Sequence, residues 1–189
     1  MRKEQKANYP ESARGAAALL VRMVLEDGAY TNIALNQYLR GSRLSDLDRR
    51  LATELVYGTV KASGTLDWYL AQCVSRPLDK VAGDILAILR ISTYQLLYMT
   101  RIPASAAVNE AVKLARSVSH EGSAKFVNGV LRGLLRKQEA GAFVLPDTEK
   151  QDADYLSLQY YHPRWLVKRW LGPWGRGGTE RLLAFDNTA

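Results

Sequence analysis

The chain has 189 residues, of which 47% are hydrophobic, and it carries a formal net charge of +7 at pH 7. This size and composition suit one globular domain with an extension, and the excess of Lys and Arg favours an acidic partner, with nucleic acid ahead of a membrane surface. A lone cysteine, Cys73, excludes an internal disulfide framework. No apolar run approaches the ~20 residues that a membrane-spanning helix needs, and the N-terminus has no apolar secretion signal, so we predict a cytoplasmic protein.

Residues 1–11 are polar and predict a flexible basic arm. Apolar residues at helical spacing then predict about seven α-helices with short loops over residues 12–138. Ser12 and Ser45 are suited to cap the first and third helices. The helix that starts at Asp79 or Asp84 is apolar almost all round, which predicts a position in the middle of a bundle. No stretch alternates polar and apolar residues over the length of a strand, so the predicted fold class is all-α.

The segment after residue 138 changes character. Residues 139–150 contain glycine, proline and mixed charge, which predicts a linker, and residues 151–189 predict a tail of short helical pieces separated by a glycine-rich loop. Trp165, Trp170 and Trp174 crowd this tail, which is too short to bury them. We therefore expect the tail to dock against another structure.

The stretch 123–137 predicts a helix with two distinct faces. One face is apolar, including Phe126, and the opposite face is basic. Gly129 and Gly133 lie on or beside the basic face, and each costs roughly 1 kcal/mol relative to alanine in a helix interior. Their presence predicts that another backbone passes close by. The basic face is either simply solvated or directed at a polyanion.

Seven basic residues on three predicted helices are the candidate RNA contacts. They are Arg14 and Arg22 on the first helix, Lys113 and Arg116 on the sixth, and Lys125, Arg132 and Arg136 on the seventh. If these helices pack side by side, their contacts with phosphate would give an affinity that falls steeply with added salt. Scattered, solvated charge is the alternative.

Signatures of catalysis are missing from the sequence. It contains no glycine-rich nucleotide loop, no serine nucleophile elbow, and no cysteine or carboxylate at zinc-like spacing from its two histidines. We predict no catalytic residue, no cofactor site and no metal site in this chain.

Several ordered motifs resemble the NusB family of helical RNA-binding domains, namely Ile102-Pro103, NEAVKLA at residues 109–115 and FVNGVLR at 126–132. Further motifs make the sequence similar, more narrowly, to the NusB-like amino-terminal domain of the bacterial Sun/RsmB family of rRNA (cytosine-C5) methyltransferases. These are DRR at 48–50, ELVYG at 54–58, LDW at 66–68, YQLLY at 94–98, YYHPRWLV at 160–167 and LLAFDN at 182–187.

The resemblance implies two small helical sub-bundles, with RNA bound by basic residues near the first helix. Arg14 is the best placed of these, and Lys125 and Arg132 flank or belong to the FVNGVLR motif. It also implies that S-adenosylmethionine and the catalytic cysteine belong to a catalytic domain truncated from this chain, with residues 151–189 as the incomplete start of the methyltransferase side. The expected partners are ribosomal RNA and that catalytic domain, and the chain alone is expected to be inactive.

Two alternatives to this reading remain. The first is a stand-alone transcription antitermination factor of the NusB type, which would bind RNA and a ribosomal protein. The second is an enzyme active by itself.

Overall fold

A computed structural model describes residues 8–146 and 152–188 of the chain. Within these ranges it contains nine α-helices, one turn of 3-10 helix at Leu78–Lys80 and no β-strand, which confirms the predicted all-α class. The helices are α1 (Ala13–Leu25), α2 (Thr31–Gly41), α3 (Asp46–Lys61), α4 (Ser63–Ala71), α5 (Gly83–Tyr98), α6 (Ala104–Val118), α7 (Glu121–Glu139), α8 (Asp152–Tyr160) and α9 (Arg164–Asp186).

Helices α1 and α3 begin where the sequence places a capping serine. The Ser12 hydroxyl oxygen accepts a hydrogen bond from the backbone N–H of Gly15 at 3.1 Å, and the Ser45 hydroxyl oxygen accepts one from Asp48 at 3.2 Å. Each bond satisfies a backbone N–H that has no partner within its helix. The start of both helices was therefore readable from the sequence.

Helix α5 forms the centre of the bundle, as its apolar sequence predicts. Ile88 and Leu89 are fully buried, and the helix packs against α1, α3, α4, α6 and α7. Helices α1, α2 and α3 pack on one another to one side, and α4, α6 and α7 lie on the other. The two groups share one continuous apolar core through α5.

Glycines in the bundle have different surroundings. A Cβ atom at Gly58 would lie 2.1 Å from the ring of Tyr94, so α3 and α5 approach closely only because residue 58 has no side chain. The expectation for Gly129 and Gly133 is wrong. Among the described residues, no other backbone comes within 4 Å of a Cβ placed at either position, and the two glycines instead line a surface recess beside Cys73.

The tail packs as a helical hairpin on α4. Helices α8 and α9 bury Leu156, Val167 and Leu183 between them, and the Thr65 hydroxyl of α4 donates a hydrogen bond to the Leu158 carbonyl at 3.0 Å. The predicted glycine-rich loop at residues 172–178 is shorter than expected: two helical segments meet at a non-helical kink at Gly175, where φ is 60°.

The structure describes residues 8–11 of the predicted arm and residues 139–146 of the predicted linker. Residues 1–7 of the arm and 147–150 of the linker lie outside the described residues. The Tyr9 hydroxyl donates a 2.6 Å hydrogen bond to Asp84 at the start of α5, so this part of the arm is fixed to the bundle. Within the described ranges, no helix combines the length and hydropathy required to cross a bilayer.

Candidate nucleic-acid interface

Helices α6 and α7 form a hairpin that gathers five of the seven predicted residues. The helices are joined by two residues, Ser119 and His120, and pack along their length through buried residues such as Leu114 and Leu131. The outer face of the hairpin carries exposed cations. We call this set the α6–α7 surface, and it consists of Lys113, Arg116, Lys125, Arg132 and Arg136.

Three of these cations already have local polar partners. Lys113 lies 2.8 Å from Glu110, Arg116 lies 2.6 Å from Glu121, and the Arg132 Nε–H donates to the Asn128 side-chain oxygen at 3.0 Å. The hydrogen bond from Lys113 lowers the pKa of Glu110, and the bond from Arg116 lowers the pKa of Glu121. All of these partners sit at the surface, where an ion pair is worth about 0–1 kcal/mol, so a phosphate group can replace the carboxylate at small cost.

Arg14 lies at the edge of this surface and is held in place by a buried amide. Its Nε–H donates to the Gln95 side-chain oxygen at 2.8 Å, and Gln95, which is 1% exposed, donates in turn to the Ile91 carbonyl. The charge of Arg14 also contributes to lowering the pKa of Glu110, which places the start of α1 close to α6. Of the two predicted cations on α1, Arg14 is therefore the one that lies near the α6–α7 surface.

Arg22 is not brought to the α6–α7 surface. It lies eight residues beyond Arg14 on α1, which is about 12 Å along the helix axis. Its Nε is 3.2 Å from Asp84, the carboxylate that also accepts the Tyr9 hydrogen bond, and its Nη2 is 3.8 Å from Asp27. The structure thus gives Arg22 a part in fixing α1 to α5.

Two cations, one on α7 and one beside it, were missed by the sequence analysis. The Arg76 guanidinium lies 4.8 Å from the centre of the Phe126 ring, and the Lys137 ammonium donates to the Gln72 carbonyl. Phe126 is itself half-buried. Arg76 comes from an irregular segment, so helical periodicity could not have placed it near α7. Lys137 is on α7 and directly follows Arg136, the last of the predicted basic positions.

The comparisons with known proteins cover both the bundle and the tail. The model of the NusB family matches residues 11–136. A protein of Synechocystis sp. named probable ribosomal RNA small subunit methyltransferase B is 41% identical over 176 residues, which make up 93% of this chain and 39% of that protein. The chain thus spans about two-fifths of the length of this relative.

Two solved structures share the fold. One, described as antitermination factors NusB and NusE in complex with dsRNA, superposes with a TM-score of 0.61 at 21% identity and covers 68% of this chain and 96% of that chain. The crystal structure of PH0851 superposes with a TM-score of 0.68 at 19% identity and covers 95% of this chain and 39% of that chain. At these identities the likeness concerns the fold alone. Together with the match to the family model, it leads to one conclusion: over residues 11–136, the chain belongs to the NusB family.

Proposed function

We propose that this chain is an RNA-binding domain that positions an rRNA cytosine-C5 methyltransferase on ribosomal RNA. The observation that carries the proposal is the α6–α7 surface, where five exposed cations lie on one hairpin and Arg14 on α1 lies near them. The name of the Synechocystis relative supports rRNA as the substrate class, and the NusB–NusE–dsRNA complex supports an RNA-binding role for this fold.

Binding to RNA would rest mainly on phosphate contacts. The exposed cations of the α6–α7 surface suit an RNA backbone that lies across the hairpin. Such contacts give affinity without sequence selection, and sequence must then be read elsewhere on the molecule.

We propose a catalytic methyltransferase domain as a second partner, which the tail would contact. Trp165, Trp174 and Phe185 on α9 are 66%, 60% and 73% exposed. Trp165 and Trp174 are nine residues apart and lie on opposite sides of the helix, so these rings offer separate candidate contacts and not one patch. In this proposal, S-adenosylmethionine binds to the catalytic domain, and α9 joins that domain to the RNA-binding bundle.

The proposal is tested by a gel-shift titration of the 189-residue chain against fragments of small-subunit rRNA at rising salt. We expect the logarithm of the affinity to fall linearly with the logarithm of the salt concentration, with a slope of about −0.7 for each phosphate neutralised on a single strand. Binding that is insensitive to salt, or no binding at low salt, would contradict the proposal.

A further inference from the structure

A half-open pocket of about 280 Å³ lies where the end of the tail meets α3 and α5, away from the α6–α7 surface. Its walls include the rings of Tyr94 and Tyr98 from α5 and of Tyr161 from the turn between α8 and α9. Lys61 at the end of α3 and Asn187 after α9 complete the lining used below. The volume is near the lower end of the range for small-molecule sites, about 300–1,000 Å³, which suits a single planar group.

The three rings form a corner instead of a closed stack. The centroids of Tyr98 and Tyr161 are 5.4 Å apart with their planes at 81°, and those of Tyr94 and Tyr98 are 5.4 Å apart at 47°. Because the rings do not lie face to face, a planar guest can stack on one ring while its edge meets another. Burial and the neighbouring Tyr161 raise the pKa of Tyr98, so its phenol stays neutral.

Tyr161 holds its place in the pocket with an unusual backbone. Its φ of 60° lies in the left-handed region, and it is the one non-glycine among the described residues with a positive φ. Such a conformation costs of order 1 kcal/mol and persists where the surroundings enforce it, often at ligand sites. The pocket thus depends on a strained residue that positions an aromatic ring.

Asn187 brings an unsatisfied acceptor to the pocket. Its side-chain N–H donates to the Tyr160 carbonyl at 3.0 Å, which fixes the orientation of the amide. The side-chain oxygen is buried and has no hydrogen-bond partner among the described residues. A buried acceptor left in this state is costly. The oxygen has almost no accessible surface, so a ligand N–H would satisfy it only after a small movement of the neighbouring side chains.

We propose that this pocket binds one unpaired nucleotide of an RNA strand. The base stacks on the tyrosine rings and donates an N–H to the Asn187 oxygen, and the exposed Lys61 ammonium contacts the phosphate. A pocket of aromatic rings also suits a quaternary ammonium group, and Glu54 lies near enough to Tyr94 to raise its pKa. The positive charge of Lys61 at the rim of the pocket would repel a quaternary ammonium group and attract a phosphate, which favours the nucleotide. The inference rests on the proposed function and adds a base contact to it.

The test titrates the 189-residue chain with CMP, UMP, AMP and GMP, and separately with choline, while tyrosine resonances are followed by NMR. We expect saturable shifts confined to the pocket tyrosines, and no such shifts with ribose 5-phosphate, which lacks a base. Lys61→Gln should weaken nucleotide binding, whereas Lys168→Gln, which removes an exposed charge on α9, should not. Asn187→Leu should weaken binding about tenfold, the loss expected for one hydrogen bond to a buried group. Thermal melts establish that each variant is folded.

Three results would overturn the inference. They are equal binding of ribose 5-phosphate, tighter binding of choline than of any nucleotide, and the absence of saturable shifts in the unchanged protein. A different result would contradict the proposed function, namely that rRNA fragments do not bind in a salt-dependent way. That result is independent of whether mononucleotides enter the pocket. Conversely, salt-dependent binding of rRNA that is unaffected by Lys61→Gln and Asn187→Leu would retain the proposed function and reject the pocket.

Discussion

At the scale of single residues, the partner of each arginine decides what it can do. Arg14 is held by the neutral amide of Gln95, so its charge remains available to an anion. Arg22 faces Asp84 and Asp27, which offset its charge. Both arginines lie on α1 and look alike in the sequence. Asp84 is 62 positions away from Arg22, and a contact of that separation cannot be read from helical periodicity.

Arg90 is the clearest case of an arginine with a structural role. It is 9% exposed and donates two hydrogen bonds of 2.8 Å to the Asp67 carboxylate. We expect Asp67→Ala to lower the free energy of unfolding by about 3 kcal/mol, because it leaves a buried charge without its main partner. Urea denaturation measures this loss. The control is Asp79→Ala, which breaks the exposed pair with Lys80 and should cost less than about 1 kcal/mol. Equal losses would contradict the prediction.

Tyr9 predicts a dependence of stability on alkaline pH. Burial, followed by the hydrogen bond to Asp84, raises the pKa of Tyr9 above its ordinary value of 10.0. An acid whose pKa is higher in the folded state stabilises the fold fully below the unfolded pKa and loses that contribution as the pH rises above it. We therefore expect the free energy of unfolding to fall above about pH 10, and to fall less steeply in Tyr9→Phe. Chemical denaturation from pH 8 to pH 11 compares the two. Identical slopes would show that Tyr9 does not contribute.

At the scale of elements, the helices were predictable where local signals and burial agree. The caps at Ser12 and Ser45, the all-round apolar α5 and the two-faced α7 follow from spacing alone. The path of α9 does not. Its glycines and Pro173 favour a loop, but Val167 and Leu183 pack against Leu156, and this tertiary contact outweighs the local preference. The basic face of the α6–α7 surface was predictable because exposure follows the helical period.

The α6–α7 surface makes a prediction about RNA affinity. Arg132 and Arg136 are exposed on α7, so Arg132→Ala with Arg136→Ala should change the free energy of unfolding by less than about 1 kcal/mol. The same double variant should weaken rRNA binding and reduce the salt slope by about 1.4, since two phosphate contacts are lost. A gel-shift salt series measures both quantities. Arg40→Ala with Arg43→Ala removes the same charge near the end of α2 and is the matched control. If the two double variants bind alike, RNA lies elsewhere.

The glycines of α3 and α7 predict opposite effects of the same substitution. Gly58→Ala should destabilise the fold, because its Cβ would lie 2.1 Å from the Tyr94 ring. Gly129→Ala meets no atom within 4 Å and should stabilise α7 by up to about 1 kcal/mol. Thermal and urea denaturation of the two variants tests the difference. A destabilising Gly129→Ala would mean that the recess beside Cys73 needs the glycine.

At the scale of the whole molecule, the bundle and the tail have different roles in the proposed function. The bundle of α1–α7 has an extended basic surface, and the tail presents exposed aromatic rings on α9 while packing on α4. A hairpin that packs on α4 would orient a catalytic domain relative to bound RNA. This arrangement could not be read from the sequence, because the contact between α4 and α8 joins residues about 90 positions apart.

These different roles predict that RNA binding and methyl transfer can be measured separately in different fragments. The chain alone should bind rRNA and transfer no methyl group from labelled S-adenosylmethionine, because its lone thiol, Cys73, is half-buried and burial raises its pKa. The Synechocystis relative without the segment that matches this chain should methylate rRNA poorly, mainly through a higher KM, since the lost contacts supply substrate binding. Steady-state kinetics, with the intact relative as control, measures whether KM or kcat changes. Unchanged KM with a lower kcat would mean that the segment acts on the chemical step instead of on RNA capture.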